Sequence, residues 1–223
     1  MNVLAIDTAS PDASVALVSG SEIFVETLPS ERRASEELLP ALRRLLEAAG
    51  VAIADCDRIA VCAGPGSFTG VRVGLATAWG LSRAAGIPLE AVSTLEAIAE
   101  TARGESSRVL AVLDAGRGEV VCREFSFPLE PPASASAYAS GRRAAPVGEA
   151  VRVAAEQARG LAASATIAAV PEDLLGGGSS APRRRPAAAL ALAVAAAPGA
   201  EASSLEAIYS RPSAAEEKRG IAS

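Results

Sequence analysis

The chain has 223 residues, half of them hydrophobic, with 21 Lys and Arg against 26 Asp and Glu and a formal charge of −5. That is enough apolar chain for one sizeable core or two small lobes, and the acidic balance gives no footprint for tight, autonomous nucleic-acid binding. There is no histidine, which excludes a histidine general base, a Ser-His-Asp triad and any histidine-ligated metal supplied by this chain.

Taken in chain order, Val3 to Ile6 is a short apolar run that ends in Asp7. Two β-like runs follow around Ser19-Gly20-Ser21-Glu22, a hairpin signal, so the chain is expected to open with three antiparallel strands. Leu38, Leu39, Leu42, Leu45 and Leu46 then recur at helical spacing, and Gly50 can end that helix. Pro40 inside the pattern either starts its regular part or kinks it. Arg58 to Cys62 reads as a buried strand, followed by a glycine-rich loop and a second helix. Residues 87–93 read as a strand and 94–103 as a helix capped by Ser93 or Thr94.

Gly104 to Ser107 reads as a linker. Two strands are expected around Gly116-Arg117-Gly118, then a Pro- and Ser-rich loop or weak edge strand. Residues 148–160 are expected to be helical, 164–170 a strand, 174–186 a loop and 186–197 a helix. The polar tail from Arg211 is expected to be partly disordered. Each half starts with an apolar strand ending in an aspartate, Asp7 or Asp114, and continues with a β-run and helix-strand units. The expectation is therefore a pseudo-duplicated two-lobe α/β protein with a degenerate second lobe. Residues 1–104 form the first lobe, 105–203 the second, and 204–223 return to the first.

The loop "CAGPGSFTG", Cys62 to Gly70, poses the sharpest question. Gly64, Gly66 and Gly70 follow an apolar strand and precede a helix, as a phosphate cradle would. It is not a Walker A loop, because no Lys-Ser/Thr follows the last glycine. It is one residue off the dinucleotide fingerprint, although Glu90 stands where a ribose-binding acid would. Pro65 also removes a backbone donor. Gly66, Ser67, Phe68, Thr69 and Gly70 read better as a structural loop, with Ser67 or Thr69 capping the helix.

In that helix, Gly70, Gly74, Thr77, Ala78, Leu81 and Ala85 share one small-residue face. Mid-helix glycine is tolerated where another backbone comes close. Trp79, Leu75 and Ala76 are apolar elsewhere on the cylinder, and only Arg72 and Arg83 are charged. The small face packs either on the chain's own sheet or on another chain, and spacing alone leaves both open. Asp7, followed by Thr8, sits where a phosphate-and-magnesium loop would begin. Ala9 crowds that approach, and Asp7 can equally cap its own turn.

The segments "LAIDTAS", "GPGSFTGVRVGLATAWGLS", "VSTLEAIA", "LDAGRGEV" and "AIYSRP", in this order, resemble the TsaB (YeaZ) family. The resemblance covers residues 3 to about 127 and again 207–212, with Gly64 to Ser82 its most specific part. It implies the two-lobe actin-like, Hsp70-like ATPase fold shared with acetate and sugar kinases. It implies a cytoplasmic subunit of the machinery that makes threonylcarbamoyladenosine beside the anticodon of tRNAs. In that family the chemistry belongs to a paralogue, TsaD, which carries the metal site, and a further subunit, TsaE, hydrolyses ATP. TsaB pairs with TsaD through first-lobe helices and can pair with itself when alone.

Carried onto this sequence, the resemblance makes Gly70, Gly74, Thr77, Ala78, Leu81, Leu38 and Leu42 the expected partner interface. Gly64, Gly66, Ser67, Phe68, Thr69 and Arg72 become structural or interface positions, and Asp7 and Thr8 a degenerate phosphate loop. The expected function is that of a non-catalytic partner subunit with no catalytic residue, cofactor or metal of its own, touching tRNA only indirectly. The rival reading is a stand-alone small-molecule kinase or ATPase of the same fold with Mg²⁺ at Asp7. A peptidase-like role comes third. Asp7 interrupts any signal-peptide core, and the Ala187–Ala197 run is too short to span a bilayer, so the expected location is cytoplasmic.

Overall fold

The computed structural model describes residues 1–29, 33–127, 143–162, 165–171, 174–175, 185–196, 198–199 and 207. Its first sheet holds β1 (Asn2–Asp7), β2 (Ser14–Ser19), β3 (Glu22–Thr27), β4 (Arg58–Cys62) and β5 (Leu89–Val92), in the order β3-β2-β1-β4-β5. The first three strands are the antiparallel set that the hairpin signal predicts, while β4 and β5 run parallel to β1. Residues 3 to 7 of β1 are fully buried. Helices cover both faces of this strand, which is why it reads as a continuous apolar run.

On one face lie α1 (Ala34–Ala49) and α2 (Phe68–Ala85). Leu38, Leu42 and Leu45 turn into the core, each worth about 1.5–3 kcal/mol relative to exposure. Gly50 closes α1 in the left-handed conformation, φ 64°, where only glycine is free of a Cβ penalty. Pro40 stays inside α1, on its exposed side. The other face is covered by α5 (Pro186–Ala196), which packs on β1 and β2 and on α3 (Thr94–Thr101). A helix this apolar all round has to be buried, and Ala187 through Ala191 are.

The second sheet holds β6 (Arg108–Gly116), β7 (Glu119–Ser126), β8 (Ala145–Ala154) and β9 (Thr166–Val170), in the order β8-β7-β6-β9. β6, β7 and β8 form an antiparallel meander and β9 runs parallel to β6. This repeats the path of β1, β2, β3 and β4. Leu95 and Ile98 of α3 pack on Val109, Ala111 and Leu113. Ala158 of α4 (Ala155–Leu161) packs with Leu110 and Val112 on the opposite face. The layers therefore run α1/α2, first sheet, α5/α3, second sheet, α4. On the near side of the expected divide at residue 104, α3 packs on the second sheet. On its far side, α5 packs on the first.

One expectation is corrected. Residues 148–160 do not form one helix: β8 runs to Ala154 and only Ala155–Leu161 is helical. Val151 and Val153 pair with Cys122 and Val120 of β7, and sheet pairing overrides the helix propensity of the surrounding alanines. Of the loop or weak edge strand expected at 128–146, residues 145 and 146 open the edge strand β8, while 128–142, most of the loop at 174–186 and the tail 204–223 apart from Ala207 lie outside the described residues. Ala207 is described and packs against the first core.

Candidate functional site

The glycine loop binds the chain's own backbone. The Ser67 amide donates to the Ala9 carbonyl at 2.8 Å, and the Thr94 amide to the Gly64 carbonyl at 2.8 Å. The Thr8 hydroxyl donates to the Gly70 carbonyl at 2.6 Å. Cβ atoms at Gly66 and Gly70 would run into the carbonyl oxygens of Ala9 and Thr8, and one at Gly74 into the Thr8 hydroxyl. These three glycines let the loop and α2 close directly over residues 8 and 9. Ser67 is the helix cap, its hydroxyl accepting from Gly70 N at 3.1 Å. The Ser67 and Gly70 donors that a phosphate would need are thus used internally.

Asp7 is fully buried at the end of β1. Its Oδ1 accepts from the Ala9 and Ser10 amides at 2.9 and 3.2 Å, and its Oδ2 accepts from the Ser10 hydroxyl. Burial pushes its carboxyl above the usual range against the pull of those hydrogen bonds. The Cys62 thiol beside it is pushed well up by burial and by the Asp7 charge. Both Asp7 oxygens thus serve the turn of residues 7–10, the local capping that an aspartate at this position can provide. Among the described residues, no group of three or more Cys, Asp or Glu is placed to hold a metal. Nor is any helix among them long and apolar enough to cross a membrane.

The small face of α2 turns inward. Gly70, Gly74 and Ala78 are buried, Gly74 facing Thr8, Val61 and Ile6. Leu38 is buried under α1. These four residues and Leu42, all expected at a partner interface, are buried within this chain, and the backbone that the small residues of α2 admit is the chain's own. Thr77 and Leu81 are half-buried. The outward side of α2 carries Arg72, 3.6 Å over the Phe68 ring, and Arg83 over Trp79. Thr69 is exposed beside them at the head of the helix.

Between α1 and the end of α2 lies an apolar groove of about 480 Å³. Leu42 and Leu81, both expected at a partner interface, form part of its lining, with Leu39, Leu46, Val51 and Ile53. Leu39 is 59% exposed. Periodicity already holds the signal for these additional residues. The adjacent pairs Leu38-Leu39 and Leu45-Leu46 make the leucine stripe of α1 wider than one core-facing side needs.

Residues 28–128 match the family described as "TsaD: tRNA N6-adenosine threonylcarbamoyltransferase". A crystal structure of a Pseudomonas aeruginosa protein with similarity to the peptidase YEAZ superposes with a TM-score of 0.59. It is 31% identical over 70% of this chain and 68% of that one. The chain belongs to the TsaB (YeaZ) family. A second structure, YeaZ from Pseudomonas aeruginosa, gives 30% identity over the same shares and a TM-score of 0.58. The Escherichia coli tRNA threonylcarbamoyladenosine biosynthesis protein TsaB is 39% identical over 127 residues, 56% of this chain and 55% of that protein. The Bacillus subtilis TsaB is 36% identical over 128 residues, 57% of this chain and 56% of that protein. The chain thus spans about half the length of the curated TsaB relatives it matches.

Proposed function

We propose that this TsaB-family chain is a non-catalytic subunit of the apparatus that places a threonylcarbamoyl group on tRNA adenosine. It adopts the two-lobe actin-like arrangement, one lobe on each sheet, and docks through the α1–α2 groove onto a catalytic paralogue of the TsaD type. A TsaE-type ATPase completes the assembly, and tRNA is contacted through the partners. The observation that carries this reading is the groove, apolar and edged by an exposed Leu39, on a chain whose relatives are named for this biosynthesis. Against a stand-alone kinase or ATPase stands the Asp7 carboxyl, whose oxygens serve its own turn.

The test is size-exclusion chromatography with light scattering on this protein, alone and mixed with the TsaD paralogue of the same organism. A one-to-one complex is expected, and Leu39→Asp is expected to weaken it about tenfold or more with unchanged circular dichroism. Two folded proteins that elute separately, or a Leu39→Asp variant that pairs like wild type, would remove the groove from the interface.

A further inference from the structure

The outer flank of α2 carries an order that packing on its own sheet does not require. At about 100° per residue, Phe68, Arg72, Ala76, Trp79 and Arg83 fall within about 80° of one another on the helix surface. They stand opposite the buried Gly70, Gly74 and Ala78. Arg72, Ala76 and Arg83 are exposed, and Phe68 and Trp79 are half-buried. The two arginines are the only charges on the helix. Each guanidinium lies over the ring four residues before it, Arg72 over Phe68 at 3.6 Å and Arg83 over Trp79 at 5.5 Å.

Stacking of this kind prepares an arginine for a partner. It holds a long side chain in one place, so less rotamer freedom is lost when something binds. A guanidinium covered on its face keeps its in-plane N–H donors, the fork that takes a carboxylate through two parallel hydrogen bonds. The surroundings also leave this surface open. Between the apolar groove and the ladder, the outer side of α2 presents Val73, Thr77, Gly80 and Ala84, and a Cβ added at Gly80 would meet nothing within 4 Å. A body seated in the groove can therefore extend across α2 to the ladder. The charged residues that line the groove, Arg43 and Glu47, pair with each other at 2.7 Å. The charge left over on this surface is the ladder's, and it is positive.

We propose that the ladder is a docking surface for carboxylates on the protein that seats in the α1–α2 groove, an inference that rests on that reading of the groove. Arg72 and Arg83, about 16 Å apart along the helix, each take an acidic side chain of that partner. They stand at the rim of the contact, where paired charges set orientation and speed of encounter. A nucleic-acid strand fits this surface less well. Its binding rests on many neutralised phosphates, and two guanidiniums on a chain of net charge −5 supply few.

The test is calorimetric titration of the TsaD-type paralogue into the wild-type chain and into Arg72→Gln/Arg83→Gln, at about 50 and about 300 mM salt. At the lower salt the double variant should bind about tenfold more weakly, and at the higher salt close to wild type, with unchanged circular dichroism. Leu39→Ala, which trims the apolar groove, should weaken pairing by the same factor at both salts. Should the double variant not fold, Arg83→Gln alone is read, with about a threefold loss at low salt. Pairing as tight as wild type at low salt would overturn the proposal, as would a loss that salt leaves unchanged. So would labelled tRNA that binds the wild-type chain alone and not the variant, which would assign the ladder to nucleic acid. A wild-type chain that does not pair at either salt would remove the groove reading and the ladder with it. Pairing that only the ladder variants leave untouched would remove the ladder alone.

Discussion

Asp7 and Asp114 close the first strand of two meanders that follow the same path, yet Asp7 is fully buried and Asp114 exposed. Both accept from a backbone amide two residues on, Ala9 at 2.9 Å and Gly116 at 2.7 Å. The turn chemistry is thus common to the two halves, and the difference lies in what covers it. In the first half the helix after the parallel strand, α2, folds back on its own sheet and lays Gly66, Gly70 and Gly74 against residues 8 and 9. In the second half the next helix among the described residues after β9 is α5, and it packs on the first sheet instead. The second turn is left open, and a methyl added at Gly116 or Gly118 would meet nothing within 4 Å. The glycine loop ahead of α2 thus serves backbone-to-backbone sealing.

Substituting one glycine in each half should break this comparison most sharply. Gly70→Ala forces a methyl into the Thr8 carbonyl, with backbone on both sides. Urea unfolding should show a loss of roughly 3 kcal/mol, the upper end for overpacking. Gly118→Ala meets open space at φ 77° and should lose only about 1–2 kcal/mol, the ordinary left-handed penalty. Equal losses would mean that α2 does not seal the Asp7 turn. The exposed leucines sharpen the comparison at smaller scale. Leu39 on α1 and Leu161 on α4 are both exposed, so Leu39→Asp and Leu161→Asp should each shift the stability of the isolated chain by under about 0.5 kcal/mol. Only the first should weaken pairing with the TsaD-type paralogue, by about 1.4 kcal/mol or more.

Much of the first half is legible in the sequence because its signals are local. The hairpin at Gly20-Ser21, the cap at Gly50 and the Ser67 cap each depend on residues a few positions apart. The inward direction of α2's small face is not legible, because Thr8, which decides it, lies 62 positions from its hydrogen-bond partner Gly70. Periodicity finds a face but not what that face meets. β8 is hidden for a related reason: Val147, Val151 and Val153 run straight into the helical segment that follows, and the strand's identity comes from pairing with β7. The groove is half legible. Leu42 and Leu81 are expected at an interface, while Leu39 and Leu46 show only as an excess of leucine on one helix.

The smallest expected effect tests the two aspartates directly and depends on pH. Burial raises the Asp7 carboxyl above its ordinary 3.8 in the folded chain. As pH rises past 3.8, the unfolded chain releases this proton while the folded chain keeps it, so the unfolded state binds fewer protons. Stability then falls with rising pH until the folded value is passed. Asp7→Asn keeps an acceptor for the Ala9 and Ser10 amides and has no proton to lose. Its stability relative to wild type should therefore improve as pH is raised from about 4 to about 8, read by urea unfolding at each pH. Asp114→Asn, exposed and keeping its acceptor for Gly116, should change the stability of the chain by under about 0.5 kcal/mol. If Asp7→Asn instead loses ground as pH rises, the carboxylate form is the one the turn favours. Asp7 would then regain the charge that a cation site requires.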